Sequence, residues 1–400
     1  MDYLLLDDTS LNTIFKSVTS GNSVITNYES DDKDFNELYQ PLGVLSNLKY
    51  WTNTDYDVNS TDLKDIFEFK LINSTDNTTS YGGTYGTFPI DNGVLIYIIN
   101  TSSSGTMTFN STNQFNVEVI VCGGGGGGGG AANSGNAGGG GGGGGLAHFS
   151  LTQPETSFDK IEFSIGSGGN CATGNDSDVV AASGGDTTFA MYQDGNELLT
   201  CDVSGGGGGG NGKRNGKNGG TGGGAGSYSN GSTNAGSGRV PKITYNSDIG
   251  YSNIQNNIAT NGGQGQDNNN DNGGGGGGGG ALTDGVVGGP DSGESGAGGT
   301  GYVYTVSTSG PVLYLSYGGG GGASYGNEPA QPNDGNYHGG GIGGHGTSGQ
   351  QQGTAAINYL SSGRIVAGSG GGGNGNDGNN SVFGNGNGAY GIIVLIFTNK

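Results

Sequence analysis

The sequence has little basic charge, few large apolar side chains and almost no proline, and each shortage removes a class of protein. Thirteen lysines and arginines stand against 34 acidic residues, a net charge of −21. Such a balance repels phosphate backbones and anionic lipid heads, so neither nucleic acid nor a membrane is an expected partner. Only three arginines occur (Arg214, Arg239, Arg364), none in an Arg-Gly-Gly triplet, which excludes the glycine-rich RNA-binding tails. Eight prolines, with glycines in unbroken blocks instead of at every third position, exclude collagen. Leu, Ile, Val and Phe number 74, below a fifth of the 400 residues. That is too little to fill the cores of a two-domain enzyme, and no enzymatic activity or cofactor is expected. The same shortage signals disorder only when charge is also high, and here charged residues make up 12%.

No apolar run approaches the roughly 18 residues that a membrane helix needs. The longest candidate, GIIVLIF near the carboxyl end, is strand-length. The amino terminus, MDYLLLDDTS, carries acid where a Sec-type signal needs base, so no such signal and a soluble chain are expected. Three cysteines (Cys122, Cys171, Cys201) are too few and too scattered for a metal cluster or a disulfide scaffold, and at least one must be unpaired within the chain.

Glycine is what the sequence has in excess. Of 96 glycines only Gly21 and Gly43 fall before residue 81, which sets a boundary between residues 1–80 and 81–400. The first region repeats a motif three times: DTSLNTIFKSV, DKDFNELYQPL and STDLKDIFEFK. Leu11, Ile14 and Phe15, then Phe35, Leu38 and Tyr39, then Leu63, Ile66 and Phe67 each fall on one face of a short helix. Asp, Ser or Thr stands upstream each time as a cap. Helices this short are unstable alone, so the stripes are expected to pack on one another or on a partner, as an anchoring or oligomerising module.

The second region alternates strands with glycine blocks. GVLIYIIN, GTMTFN and FNVEVIVC have the period of two that marks strands, and FNVEVIVC runs directly into glycines 123–130. A second block, 138–145, precedes LAHFSL. The order continues through FDKIEFSIG, TTFAMY, ELLTCDVS, YVYTVST, PVLYLSY, GRIVAG and AYGIIVLIF, with glycine blocks between. Glycine loses the most backbone entropy on ordering, but linkers mix in serine and have no reason to recur between strands. One ordered state suits polyglycine: the threefold polyproline-II-like helix, with every N–H and C=O directed outward to neighbours. The expected fold is therefore mainly β, a small antiparallel, sandwich-like framework carrying a bundle of polyglycine-II helices, preceded by the small helical module.

Catalytic and metal motifs are weak. GxGxxG is guaranteed by composition, and GNGKRNGKN lacks the Ser or Thr of a phosphate loop. GGQGQD and GGNGND open like the calcium nonapeptide and make Asp267 and Asp377 the calcium candidates, but each is followed by Asn (Asn269, Asn379) where an apolar residue belongs. No metal site is predicted. His148 on a strand, with His338 and His345 in a glycine-rich stretch, is read as a polar histidine without ligand partners. The aromatic residues of the spacers are the recognition candidates: Tyr228, Tyr245, Tyr251, Tyr325 and Tyr337, with His338 beside them. Tyr gives contact area and a hydroxyl at low entropy cost.

The succession GTMTF, FNVEVIVCGGGGGGGG, FDKIEFSIGSGG, GGDTTFAMY, CDVSGGGGGG and GAYGIIVLIF resembles the glycine-rich domain of bacteriophage tail adhesins and of surface proteins of large DNA viruses. SLNTIF, DFNELY and DLKDIF are similar to degenerate Asp-Leu-Asn-x-Ile-Phe repeats of algal giant-virus structural proteins. The resemblance implies a virion surface protein, a fibre, tail or capsid-associated appendage in host attachment. Its implied partners are other virion proteins, further copies of itself and a host-surface glycan or protein. A purely structural scaffold or an extracellular matrix protein is the alternative.

Overall fold

The structure is a computed structural model. It describes residues 70–73, 85–90, 94–99, 104–108, 115–131, 136–151, 158, 160–172, 180–227, 233–246, 249–255, 259–266, 273–289, 294–305, 312–323, 339–344, 353–357, 359–360, 364–375 and 386–399. All belong to the compact unit Glu68–Lys400. The three helical stripes expected within residues 1–80 lie outside the described residues.

The described residues are all-β, with no α-helix. One sheet orders β1 (Lys70–Asn73), β4 (Ser104–Thr108), β7 (Lys160–Ser164), β8 (Thr187–Gln193), β9 (Asn196–Val203) and β10 (Lys242–Tyr245). A second orders β11 (Tyr251–Gln255), β6 (Leu146–Leu151), β5 (Phe115–Cys122), β16 (Ile392–Asn399), β3 (Val94–Ile99) and β2 (Tyr85–Ile90). Both are antiparallel throughout. A third orders β12 (Tyr302–Thr305), β13 (Val312–Leu315), β15 (Arg364–Ala367) and β14 (Tyr359–Leu360), with β13 and β15 parallel.

Local chemistry accounts for several of these elements. The β8–β9 hairpin turns on Asp194 (φ 50°) and Gly195 (φ 78°), the Asp-Gly pair whose positive φ angles give a turn twisted like its strands. Strand β16 is apolar almost without alternation because both its faces are covered, whereas β5 alternates up to Glu118 and is wholly apolar only from Val119 onward. Val117, Val119, Ile120 and Val121 of β5 and Ile392–Ile396 of β16 are all buried. On one side β5 and β6 pack against β8 and β9, where the Phe149 and Phe189 rings lie 6.4 Å apart.

Strands β5, β9, β13 and β15 run on directly into glycine-rich segments. In the segment 123–130, Gly123 donates its N–H to the Gly145 carbonyl (3.0 Å), Gly126 to Gly142 (2.8 Å) and Gly129 to Gly139 (2.8 Å). The residues between address other neighbours: Gly124 and Gly127 donate to Gly185 and Ala182, and Gly125 and Gly128 to Ala389 and Gly386. The donor advances by three as the acceptor recedes by three, so these three neighbours run antiparallel. The carbonyls serve three further segments, all parallel. Gly206 and Gly209 donate to Gly124 and Gly127, Gly169 and Ala172 to Gly125 and Gly128, and Gly371 and Asn374 to Gly126 and Gly129. Segment 138–145 likewise donates to Asn374, Gly371 and Gly368, to Gly210, Gly207 and Ser204, and to Gly276 and Gly279.

At the glycine positions of 123–129 a side chain does not fit. A Cβ at Gly125 would overlap the Ser369 carbonyl and one at Gly128 the Gly372 carbonyl. Segments that leave the sheets (123–130, 205–210, 318–323, 368–374) are parallel to one another or antiparallel to those that return (138–145, 386–391). The described ends flanking residues 132–135, 173–179, 228–232, 267–272 and 376–385 accordingly all lie on the side remote from the sheets.

Candidate functional site

Interior segments bond backbone to backbone, but an outer segment has no neighbour on its solvent side. There, side-chain oxygens take the place of carbonyls. Asn215 Oδ1 accepts from Asn234 N–H (2.8 Å), Asn218 from Ser237 (2.7 Å), Asn261 from Gly238 (3.3 Å), and Asp284 from Asn261 (2.7 Å). Asn387 accepts from Cys171 N–H at 2.9 Å. Asn374 does the same under cover, accepting from Gly353 N–H at 2.9 Å while only 2% exposed. The abundance of asparagine in the spacers thus has a structural use, which composition alone does not signal.

Of the recognition candidates, Tyr245 and Tyr251 are described, and the fold brings them together. Tyr245 ends β10 and Tyr251 begins β11, so the chain passes between edge strands of two sheets through the intervening residues. Their rings stack with centroids 4.2 Å apart and planes 17° from parallel. Tyr251 also meets Phe149 at 5.5 Å, while Tyr245 stays 48% exposed. The stack therefore joins the core to the surface. Tyr228, Tyr325, Tyr337 and His338 lie outside the described residues, as do Asp267 and Asp377 and the stripe residues Leu11 to Phe67. Among the described residues no group of three or more His, Cys, Asp or Glu is placed to hold a metal ion.

The polar cluster that sequence reasoning missed surrounds His148. The register sets Ile120 opposite His148 and Glu118 opposite Ser150, so Glu118 and His148 are diagonal neighbours on one face of β5 and β6. His148 is fully buried and its Nε2 lies 2.6 Å from Glu118 Oε1. Its Nδ1 lies 2.8 Å from the Tyr302 hydroxyl, and the Tyr304 hydroxyl donates to the same Glu118 oxygen. The four side chains join the second sheet to β12 of the third. Burial alone would raise the Glu118 pKa, but the hydrogen bonds from His148 and Tyr304 and the His148 charge hold it below its ordinary value. Burial, then the Glu118 charge, raises Tyr302, and burial with the Glu118 hydrogen bond raises Tyr304. The signal was present in sequence: one acid inside FNVEVIVC and one histidine inside LAHFSL, each flanked on both sides by apolar residues.

All three cysteines are free thiols. Burial pushes Cys122 up to about 12, raises Cys201 with help from the Asp202 charge, and raises the half-buried Cys171 despite backbone hydrogen bonds that oppose it. None has a nucleophile's lowered pKa.

Strands alternating with cross-linked glycine segments fill the length matched by one family model, the glycine-rich domain, which covers residues 101–398. The chain belongs to the glycine-rich domain family. No curated protein matches the sequence. The match takes in the sheets from β4 (Ser104–Thr108) onward, so framework and glycine segments form one glycine-rich domain.

Proposed function

We propose that this glycine-rich domain protein is a non-enzymatic component of a virion surface, a fibre or capsid-associated appendage whose glycine segments form a stiff bundle that presents contact residues to a host. The observation that carries the reading is the three-residue alternation of hydrogen bonds from 123–130 and 138–145. It supports assigning these segments as polyglycine-II helices, which have three residues per turn and no internal hydrogen bonds. Six neighbours around 123–130, three reached through N–H and three through C=O, agree with a hexagonal array. At a rise of about 3.1 Å per residue, eight glycines reach about 25 Å beyond the sheets. A rod without side chains has little chemistry of its own and is suited to support.

The direction of the segments favours display, since they leave the sheets and return, with their described ends gathered on the remote side. The partners proposed are further virion proteins and copies of this chain, engaged through residues 1–80, and a host-surface glycan or protein at the remote side. Hydrogen exchange on the full chain tests the bundle. Peptides covering 123–145 are expected to keep their amide protons for hours, and exchange as fast as an unstructured peptide overturns it. Immunogold labelling of purified particles tests the setting: label on intact particles is expected, and particles devoid of this chain overturn the assignment.

A further inference from the structure

The charge of the chain is unevenly distributed. Residues 203–247 contain five of its thirteen basic residues, Lys213, Arg214, Lys217, Arg239 and Lys242, and no acidic one. All five are exposed. They lie on two outer segments that run side by side in the same direction, since Gly216 and Gly219 donate to the Asn234 and Ser237 carbonyls. Arg214 and Lys217 face alike, because their carbonyls accept from Gly226 and Gly223 of a single neighbour. Arg239 continues below them, donating its N–H to the Gly220 carbonyl, and Lys242 opens β10 three residues further. At about 3.1 Å per residue, Arg214 and Lys217, three residues apart, are about 9 Å from each other.

We propose that this strip binds an extended anionic polysaccharide. The assignment stands on the placement of charges and does not depend on the host-attachment reading. At physiological salt the screening length is about 8 Å, so a ligand on the strip meets its local charge and not the net −21. Among the described residues, Asp202 lies opposite Lys242 on β9, and Asp284 lies one segment beyond Asn261, which accepts from Gly238. Lys213 and Lys217 lie farthest from these acids, with Arg214 beside them and Arg239 nearer to Asp284.

Two features select a sugar polymer. Asn215 and Asn218 accept backbone N–H groups through Oδ1, which leaves their Nδ2 amino groups at the surface as donors for hydroxyl or acid oxygens. Below Lys242, the half-exposed Tyr245 supported by Tyr251 offers a flat apolar face to a sugar ring. Duplex DNA, with one charge per about 1.7 Å, would bring far more anion against the acidic remainder of the protein.

Retention of the full chain on immobilised dextran sulfate and polygalacturonate, with neutral dextran as blank, tests the proposal and separates sulfate from carboxylate recognition. Binding to at least one anionic polymer is expected. By counterion-release arithmetic for four cations, it should weaken on the order of fifty-fold between about 50 and 200 mM salt. The double variant K217Q/R239Q should bind at least about tenfold more weakly and show roughly half the salt slope. K217R/R239K keeps the charges and should bind like wild type, and K160Q, which removes a cation held by Glu162, should change nothing. Equal denaturation midpoints for all variants exclude a folding defect. Failure of wild type to bind either polymer, unaltered binding by K217Q/R239Q, or tighter binding to oligodeoxythymidine than to the polysaccharides overturns the assignment.

Discussion

The imidazole of His148 and the carboxylate of Glu118 meet at 2.6 Å with His148 wholly out of solvent, and the tyrosines that complete their hydrogen bonding come from another sheet. Because an ionised carboxylate only accepts, Nε2–H donates to Glu118 and the Tyr304 O–H donates to the same oxygen. Folding therefore favours Glu118 in its charged form and Tyr302 and Tyr304 in their neutral form.

The pH dependence of stability follows with two signs. Glu118 is held below its ordinary value of 4.5, so its contribution is present above that value and lost as pH falls through the folded pKa. Tyr302 and Tyr304 are raised above 10.0, so theirs is present below that value and lost as pH rises through the folded pKa. Urea midpoints should form a plateau between these limits and fall on both sides. Glu118→Gln should flatten part of the acid limb, and an acid limb identical to wild type would assign it to other carboxylates.

Glycine at 125 is a requirement of packing, whereas glycine at 195 is one of backbone angle. Gly125→Ala drives a methyl into the Ser369 carbonyl inside a close-packed array, so a loss of at least about 1–3 kcal/mol is expected. Gly195→Ala meets no atom within 4 Å and carries only the cost of φ 78°, about 1 kcal/mol. Denaturation midpoints of the two variants should rank in that order, and an equal or smaller loss at 125 contradicts the close packing.

The strands were legible because their side chains alternate or form short apolar runs: FNVEVIVC, LAHFSL, TTFAMY and IIVLIF all became strands in the expected order. Strands β1, β2, β10, β11 and β14 were not anticipated. Residues 242–245, KITY, and 251–255, YSNIQ, lie at sheet edges with exposed faces, and their partners in β9 and β6 are set by topology instead of pattern. The glycine blocks carry no side-chain information, so which segment neighbours which is legible only in the hydrogen bonds. The Glu118–His148 pairing was hidden for a related reason, since register fixes it and thirty residues separate the partners. The Tyr245–Tyr251 stack was half visible, as two candidates of the right type whose proximity depends on a passage between sheets.

Asparagine at the bundle surface and asparagine within it should differ in weight. Asn374 is 2% exposed, and Asn374→Ala removes the acceptor of the Gly353 amide where water has little access, at an expected cost of about 1–3 kcal/mol. Asn218→Ala exposes the Ser237 amide at a solvated surface, where water replaces the lost oxygen and the change should stay within about 0.5 kcal/mol. Equal losses in chemical denaturation would refute this distinction.

The three thiols should separate into one accessible to reagents and two protected by the fold. Cys122, at the end of β5 where the glycine segment begins, is fully buried, and the Gly368 backbone (φ 68°) packs on its sulfur so closely that a Cβ there would overlap it. Cys201 is equally buried on β9. With both thiols shifted far up by burial, almost no thiolate forms near pH 8, and alkylation of either must await opening of the sheets. Cys171 is only half-buried, so iodoacetamide should modify one cysteine per native chain and three in denaturant, with peptide mass spectrometry placing the native label at residue 171. Native labelling at Cys122 as fast as at Cys171 would mean that the junction between β5 and the glycine segment opens readily, and a bundle rooted there could not be stiff.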